Sequence, residues 1–187
     1  MTAQRLAGVL IILGILLALV ASVVFPGDYY RAKSDEARQA ILDANRSAWL
    51  ATNWLWIAAT AATASGLALI AQRNRDWLSY TGAGLFAVGS LFWVAYLYLR
   101  WLNPSIATDR LWMEGVFASL TAGGLALLGI AFIRGAFPRW VGFVNLGYGI
   151  LFLLLFLTFR SRMIASFPPQ VVYLIPLLTG VVAVKRG

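Results

Sequence analysis

Long apolar runs alternate with short polar segments along most of the chain. A helix rises about 1.5 Å per residue, so each run is long enough to cross about 30 Å of hydrocarbon, the last one only just. Helices are expected there, because lipid offers no hydrogen bonds to the backbone. We therefore predict an all-α integral membrane protein, a bundle of six transmembrane helices forming one domain over residues 1–187, with spans at about 7–25, 49–71, 77–100, 110–133, 139–159 and 168–184.

The first run resembles the hydrophobic core of a signal peptide, but it is longer than such cores usually are. Further spans follow it, so we interpret it as a retained helix. In the polar segment after it, Ser34, Asp35 and Glu36 are typical of a helix start, because a hydroxyl and early carboxylates complement free backbone amides. The residues that follow place an apolar stripe on one side. We expect a short amphipathic helix between spans one and two, acting as a connector at the membrane interface or extending the second span into water.

Spans two and four share a sequence pattern. Segments 63–70 and 121–128 agree at most positions, and Trp54 and Trp112 precede them at the same distance. Spans three and five correspond more loosely. The pattern predicts a parallel repeat of two hairpins, spans 2–3 and 4–5, that enter the membrane from the same side. A chance match between two apolar segments is the alternative.

The composition agrees with a lipid environment. The chain is 61% hydrophobic and 12% charged, whereas a soluble domain is about 25% charged. A net charge of +8 would suggest nucleic acid binding in a soluble protein. Here basic residues lie in pairs at the ends of apolar runs, as at Arg73 and Arg75 or Lys185 and Arg186, which is typical of anchors that contact anionic lipid headgroups. Membrane lipids are therefore expected partners, and nucleic acid is not.

Six spans place both termini on one face of the membrane. The Lys and Arg residues on the two faces are nearly equal in number. If the charge-balanced loop 28–46 is left out of the count, the face that holds the termini has more of them, and such an excess is typical of the cytoplasmic side. We predict a bacterial cytoplasmic (inner) membrane protein with both termini in the cytoplasm.

The absence of Cys and His from the chain excludes disulfides, thiol catalysis, Cys or His zinc sites and His-ligated haem. The sequence contains no phosphate-binding loop and no hydrolase motif. Glu114 alone among the acidic residues lies well inside an apolar run, so a carboxylate-bridged metal pair is not expected. We therefore predict no cofactor, no metal and no enzymatic activity.

Glu114 is the centre of a predicted binding site. The start of span two, the end of span three and the start of span four lie at similar depth, because their loops share one face. A carboxylate among aromatic rings suits a cationic or amphipathic ligand, and a buried Glu also suits proton transfer during transport. The plainer interpretation is an interfacial ion pair with Arg110, beside tryptophans of a membrane-interface belt. The predicted ligand-binding residues are Glu114, Arg110, Arg100, Trp56, Trp93, Tyr96 and Asn53.

Small residues at helical spacing predict close helix packing, inside the bundle or against a partner subunit. Asn145, an amide within span five, is expected to hydrogen-bond a neighbouring helix. The predicted packing residues are Gly115, Ser119 and Gly123 on span four, Ala58, Ala62 and Gly66 on span two, and Asn145.

Two functions agree with these features. The first is a non-enzymatic polytopic membrane protein that binds lipid, other membrane subunits or a second copy of itself, as an accessory subunit or a lipid-associated binding module. The second is a small transporter or sensor that binds a cationic or amphipathic small molecule in an aromatic pocket around Glu114. No resemblance to a characterised family is identified.

Overall fold

The computed structural model describes the chain except residues 26, 33, 103–110, 136 and 160–169. The described residues are helical, without strands. A 3₁₀ helix spans Gly27–Arg31. The α-helices are α1 (Ala3–Val24), α2 (Asp35–Ala44), α3 (Arg46–Asn74), α4 (Trp77–Leu102), α5 (Leu111–Arg134), α6 (Arg139–Phe159) and α7 (Gln170–Arg186).

Five of the described helices, α1, α3, α4, α5 and α6, are long and apolar enough to cross a membrane. They occupy the first five predicted runs and indicate an integral membrane protein of the all-α class. Helix α7 has 17 described residues, fewer than the roughly 20 that a perpendicular span requires, and it is not among the five.

The long helices pack as antiparallel neighbours. Helix α1 lies between α3 and α7, α4 lies between α3 and α5, and α6 packs on α5. A smaller contact between α6 and α7 completes the circuit. Short connections at residues 75–76 and 135–138 keep successive helices adjacent and opposite in direction.

Both termini lie at one end of the bundle, here called the terminal end. The Thr2 hydroxyl donates to the Gly187 carbonyl at 3.1 Å. At the same end α3 stops at Arg75, which adopts a left-handed φ of 52°, and Asp76 accepts the Ser79 backbone amide at 3.2 Å as α4 begins. The opposite end, where α1 stops and α3 starts, is called the loop end.

A small aromatic cluster covers the loop end of α1 and α3. Phe25 lies edge-on to both Tyr29 and Trp49, each at 5.5 Å between ring centroids, and Tyr29 stacks on Trp49 at 6.3 Å. Leu42 of α2 is buried against these rings. Trp49 is therefore enclosed by the segment that links the first two long helices.

The short helix expected between the first two spans is α2, and its N-terminus has the predicted cap. The Ser34 hydroxyl accepts the Ala37 amide at 3.2 Å. Hydrogen bonds from its own backbone amide and from Ser34 lower the pKa of the exposed Glu36 carboxyl, because they favour its charged form. Helix α3 starts at Arg46, directly after Asn45. It therefore begins before the apolar run at about 49–71 from which the second span was predicted.

Apolar side chains cover much of the outer surface. Leu13 and Leu16 are exposed on α1, and Ile150 and Leu154 on α6. Three tryptophans at helix starts are also exposed, as expected for an interfacial belt: Trp77, Trp112 and Trp140.

Candidate functional site

The three aromatic residues of the predicted site lie together inside the bundle. Trp56 of α3 lies edge-on to Trp93 of α4 at 5.7 Å between ring centroids. Trp93 stacks on Tyr96 at 5.6 Å. All three are buried. Trp56 and the pair on α4 lie at similar depth because α3 and α4 run in opposite directions. Trp93 and Tyr96 are three residues apart, so both lie on the inward face of α4.

Further rings, which sequence reasoning did not assign to the site, join this group. Phe117 of α5 stacks on Trp93 at 5.1 Å and on Tyr173 of α7 at 6.4 Å. Tyr173 also contacts Trp56 at 5.8 Å and Phe86 of α4 at 6.1 Å. The aromatic cluster, as we call it below, therefore draws on four helices and consists of Trp56, Phe86, Trp93, Tyr96, Phe117 and Tyr173.

Tyr173 holds a central position in this cluster. Its side chain is fully buried, and its hydroxyl shares a hydrogen bond of 2.9 Å with the Thr60 hydroxyl of α3. The bond ties α7 to a helix that is not its main neighbour. The sequence offered only a weak signal that Tyr173 belongs to the site. It is an aromatic residue with a hydroxyl group in the last apolar run, and Thr179 is a further polar residue of the same helix.

Other polar atoms beside the aromatic cluster lack hydrogen-bond partners within the described residues. They are both amide atoms of Asn53, the Thr63 hydroxyl and the Trp93 indole nitrogen, whereas the Ser90 hydroxyl hydrogen-bonds the buried Tyr173 side chain. Each of these residues is at least nine-tenths buried. Asn53 and Trp93 belong to the predicted ligand-binding set, whereas Ser90 and Thr63 do not. Buried polar atoms of native proteins are nearly always hydrogen-bonded.

Glu114 lies in the first turn of α5, where a carboxylate interacts favourably with the helix dipole. Its side chain is half-buried. Phe117, one turn further along, is part of the aromatic cluster, so Glu114 lies at the loop-end border of that cluster. Arg110 and the Arg100 side chain, the predicted partners, lie outside the described residues, and the ion-pair prediction is therefore untested.

The predicted small-residue rows take varied positions. A Cβ on Gly66 would lie 2.6 Å from the Ala7 carbonyl oxygen of α1, and one on Gly115 would lie 2.7 Å from the Phe156 ring of α6. A Cβ on Gly123 would meet nothing within 4 Å in the described protein. Ala58 is exposed, and Ala62 and Ser119 are half-buried. The rows do not face each other, so a role for Ala58 and Gly123 against a partner subunit stays a prediction.

Similarly close helix contacts involve glycines that sequence reasoning did not select. A Cβ on Gly124 would lie 2.5 Å from the Gly82 carbonyl oxygen, and one on Gly82 would lie 2.7 Å from that of Gly124. Gly129 and Gly142 form a similar pair between α5 and α6, as do Gly8 and Gly180 between α1 and α7. We call these three pairs, together with Gly149 over the Ala122 carbonyl, the glycine contacts. Their sequence signal was a glycine in the middle or in the terminal-end half of several apolar runs.

Asn145 joins two helices. Its amide nitrogen donates to the Val141 carbonyl at 2.8 Å and to the Thr179 hydroxyl of α7 at 3.1 Å. The second bond is of the kind expected for an amide inside a span.

No protein-family model, curated protein or solved structure matches this chain. Its function is therefore inferred from its own residues: an aromatic cluster with unpartnered polar atoms, close glycine contacts and an apolar outer surface.

Proposed function

We propose that this chain is a non-enzymatic polytopic membrane protein that acts by binding, as an accessory or interaction subunit or as a lipid-associated binding module. The outer face of α6 carries the proposal. Only 22% of the residues in its apolar segment are buried, against 56% in α5. Its exposed side chains include Phe143, Ile150 and Leu154. Such a face requires cover by lipid or by another membrane chain.

The proposal includes α7 as a sixth span, in one domain over residues 1–187, and both termini in the cytoplasm of a bacterial inner membrane. The Thr2–Gly187 hydrogen bond supports an even number of crossings, because it joins the two termini at one end. Lys185 and Arg186 occur in the last turn of α7 and Arg73 in the last turn of α3. These positive charges at the terminal end favour a cytoplasmic location.

The proposal also includes the parallel repeat of hairpins α3–α4 and α5–α6. Matching residues have matching environments: Thr63 and Thr121 are both 0% exposed, as are Leu67 and Leu125. The glycine that lies between them in each copy makes a close contact with the preceding long helix, Gly66 with α1 and Gly124 with α4. Equal burial at equivalent positions supports a duplication over a chance match.

Purification from the native membrane in mild detergent, followed by mass spectrometry of chains and lipids, tests the function. We expect a second chain or a retained lipid to co-purify. Replacing Ile150 and Leu154 on the outer face of α6 with Trp should release it. The same replacement of Leu13 and Leu16, which are similarly exposed on α1, is the matched control and should retain it. A lone monomer without associated chain or lipid would contradict the proposal.

A second function is a transporter or sensor for a cationic or amphipathic small molecule. One observation favours it: Glu114 lies one helical turn from Phe117, whose ring stacks on Trp93. Binding of tetraphenylphosphonium, a lipophilic cation, should weaken at least tenfold in Glu114→Gln. Affinity equal to that of the wild type would remove the proposed role of Glu114.

A further inference from the structure

Two turns at the terminal end of the bundle carry four arginines between them. Arg73 and Arg75 lie where α3 passes into α4, and Arg134 and Arg139 lie where α5 passes into α6. All four side chains are exposed. Within the described protein, none of them forms an ion pair with a carboxylate.

The two turns touch each other. A Cβ on Gly135 would lie 3.9 Å from the side-chain amide of Asn74, which is ordinary van der Waals contact. The same amide donates to the Ser79 hydroxyl at 3.2 Å, so the contact is tied to the start of α4. Asn74 lies between two of the arginines in the sequence, and Gly135 directly follows a third. Arginines of both turns therefore border one surface, here called the arginine surface: Arg73, Arg75, Arg134 and Arg139.

The acidic residue of these turns, Asp76, is bonded to α4. Its Oδ1 accepts the Ser79 backbone amide at 3.2 Å, and its Oδ2 accepts the Ser79 hydroxyl. Such a carboxylate complements the free amides of a helix start. The two turns thus present four guanidinium groups against one carboxylate that already has hydrogen bonds, and the excess of positive charge attracts anions.

Exposed aromatic residues place the arginine surface at the level of lipid headgroups. Trp77 and Trp140 directly follow the two turns and are 71% and 52% exposed, and exposed tryptophans at helix starts are typical of the headgroup region. Tyr80 and Phe143, each three residues further along, are also exposed and lie on the same helix faces. A path of apolar surface therefore leads from each turn towards the hydrocarbon, where acyl chains can contact it.

The chemistry of the arginine surface favours phosphate. A guanidinium group presents a planar fork of N–H donors that matches two oxygens of one phosphate, and arginine is favoured over lysine where such binding is needed. All four basic residues of the two turns are arginines. They form two pairs on touching turns, so a headgroup with two linked phosphates can contact both pairs at once.

We propose that the arginine surface binds an anionic lipid with two phosphate groups, one phosphate at each turn. The inference rests on the proposed lipid-associated function, and it names the class of lipid. It uses the terminal end of the bundle rather than the outer face of α6, so the two can be tested separately.

Lipid binding to the purified full chain in detergent, measured by native mass spectrometry, tests the proposal. Cardiolipin has two phosphates and phosphatidylglycerol has one. We expect cardiolipin to bind roughly tenfold more tightly than phosphatidylglycerol, and phosphatidylcholine, which has no net charge, to bind more weakly than both. Inorganic pyrophosphate should not displace cardiolipin, because it has no acyl chains to contact the apolar surface.

Paired variants assign the preference to the turns. Arg73→Gln with Arg75→Gln should reduce the preference for cardiolipin to about twofold or less, because one phosphate loses its partners. Arg5→Gln with Lys185→Gln is the matched control. It removes two exposed basic residues from α1 and α7 at the same end, and it should weaken both anionic lipids alike while the preference remains.

Three results would overturn the proposal: equal affinity of the wild type for cardiolipin and phosphatidylglycerol, displacement by pyrophosphate, or a preference that persists without the arginines of one turn. Replacement of Ile150 and Leu154 on α6 should leave the cardiolipin preference unchanged. If that replacement releases a partner while the wild type shows no preference, the proposed function stands and this inference fails.

Discussion

The glycine contacts and the aromatic cluster join neighbouring helices in opposite ways, and α4 and α5 meet in both. At the glycine contacts, α4 and α5 approach until a Cβ on Gly124 would lie 2.5 Å from a carbonyl oxygen. In the aromatic cluster, ring centroids are 5.1 to 6.4 Å apart, and side chains rather than backbones fill the space between helices.

This difference separates structural packing from candidate binding. Backbone contact at the glycines leaves no room for a further group, and it provides the van der Waals packing that drives helix association in lipid. The aromatic cluster instead contains the Trp93 indole nitrogen, which has no hydrogen-bond partner in the described protein, and Asn53, one turn from Trp56, has an amide in the same state. We therefore propose that any ligand inside the bundle binds at the aromatic cluster and that the glycine contacts have a structural role.

The largest expected effect comes from filling a glycine contact. Gly124→Ala should lower the free energy of unfolding by about 1–3 kcal/mol, because its Cβ would meet the Gly82 carbonyl and force α4 and α5 apart. The measurement is reversible unfolding in mixed detergent micelles. Gly123→Ala, the adjacent position with nothing within 4 Å in the described protein, should change stability by less than about 1 kcal/mol. Equal effects at both positions would remove the distinction between them.

A smaller effect is expected in the aromatic cluster. Tyr173→Phe removes the hydroxyl that bonds Thr60 but keeps the ring contacts. A double-mutant cycle with Thr60→Val should give a coupling energy of about 0.6 kcal/mol, an average for hydrogen bonds between membrane helices. The exposed Tyr80 supplies the control, since Tyr80→Phe should show no coupling to Thr60→Val. A coupling of zero for Tyr173 would show that ring packing alone fixes this residue.

The smallest effect lies outside both regions, in α2. The pKa of Glu36 is lowered in the folded protein by its own amide and by Ser34. Because the pKa is lowered, the charged carboxylate of Glu36 stabilises the helix start fully at pH values above the ordinary pKa of 4.5. This contribution to stability is lost as the pH falls through the pKa of the folded protein. The Ala37 amide signal should therefore titrate in acid and become pH-independent in Glu36→Gln. If the Ala37 amide signal still titrated in Glu36→Gln, the titration would belong to a group other than Glu36.

Periodicity and chain direction were sufficient to bring Trp56, Trp93 and Tyr96 together. They were insufficient for Tyr173 and Gly124. The choice between Gly123 and Gly124 depends on helix rotation, since adjacent residues differ by about 100° around the axis. In a lipid-facing helix both sides are apolar, so the one-sided hydrophobic pattern that orients a soluble helix is weak. Rotation therefore follows from packing, which the sequence of a single span does not reveal.

The direct test of our central claim is the access of small uncharged molecules to the two regions. The native chain contains no Cys, so single-cysteine variants have no background reaction. Ser90 borders the aromatic cluster, and Ala122 lies at a glycine contact at similar depth; they are 2% and 0% exposed. We predict that methyl methanethiosulfonate modifies Ser90→Cys at least tenfold faster than Ala122→Cys in folded protein. Equal rates, or faster modification of Ala122→Cys, would contradict the assignment of binding to the aromatic cluster.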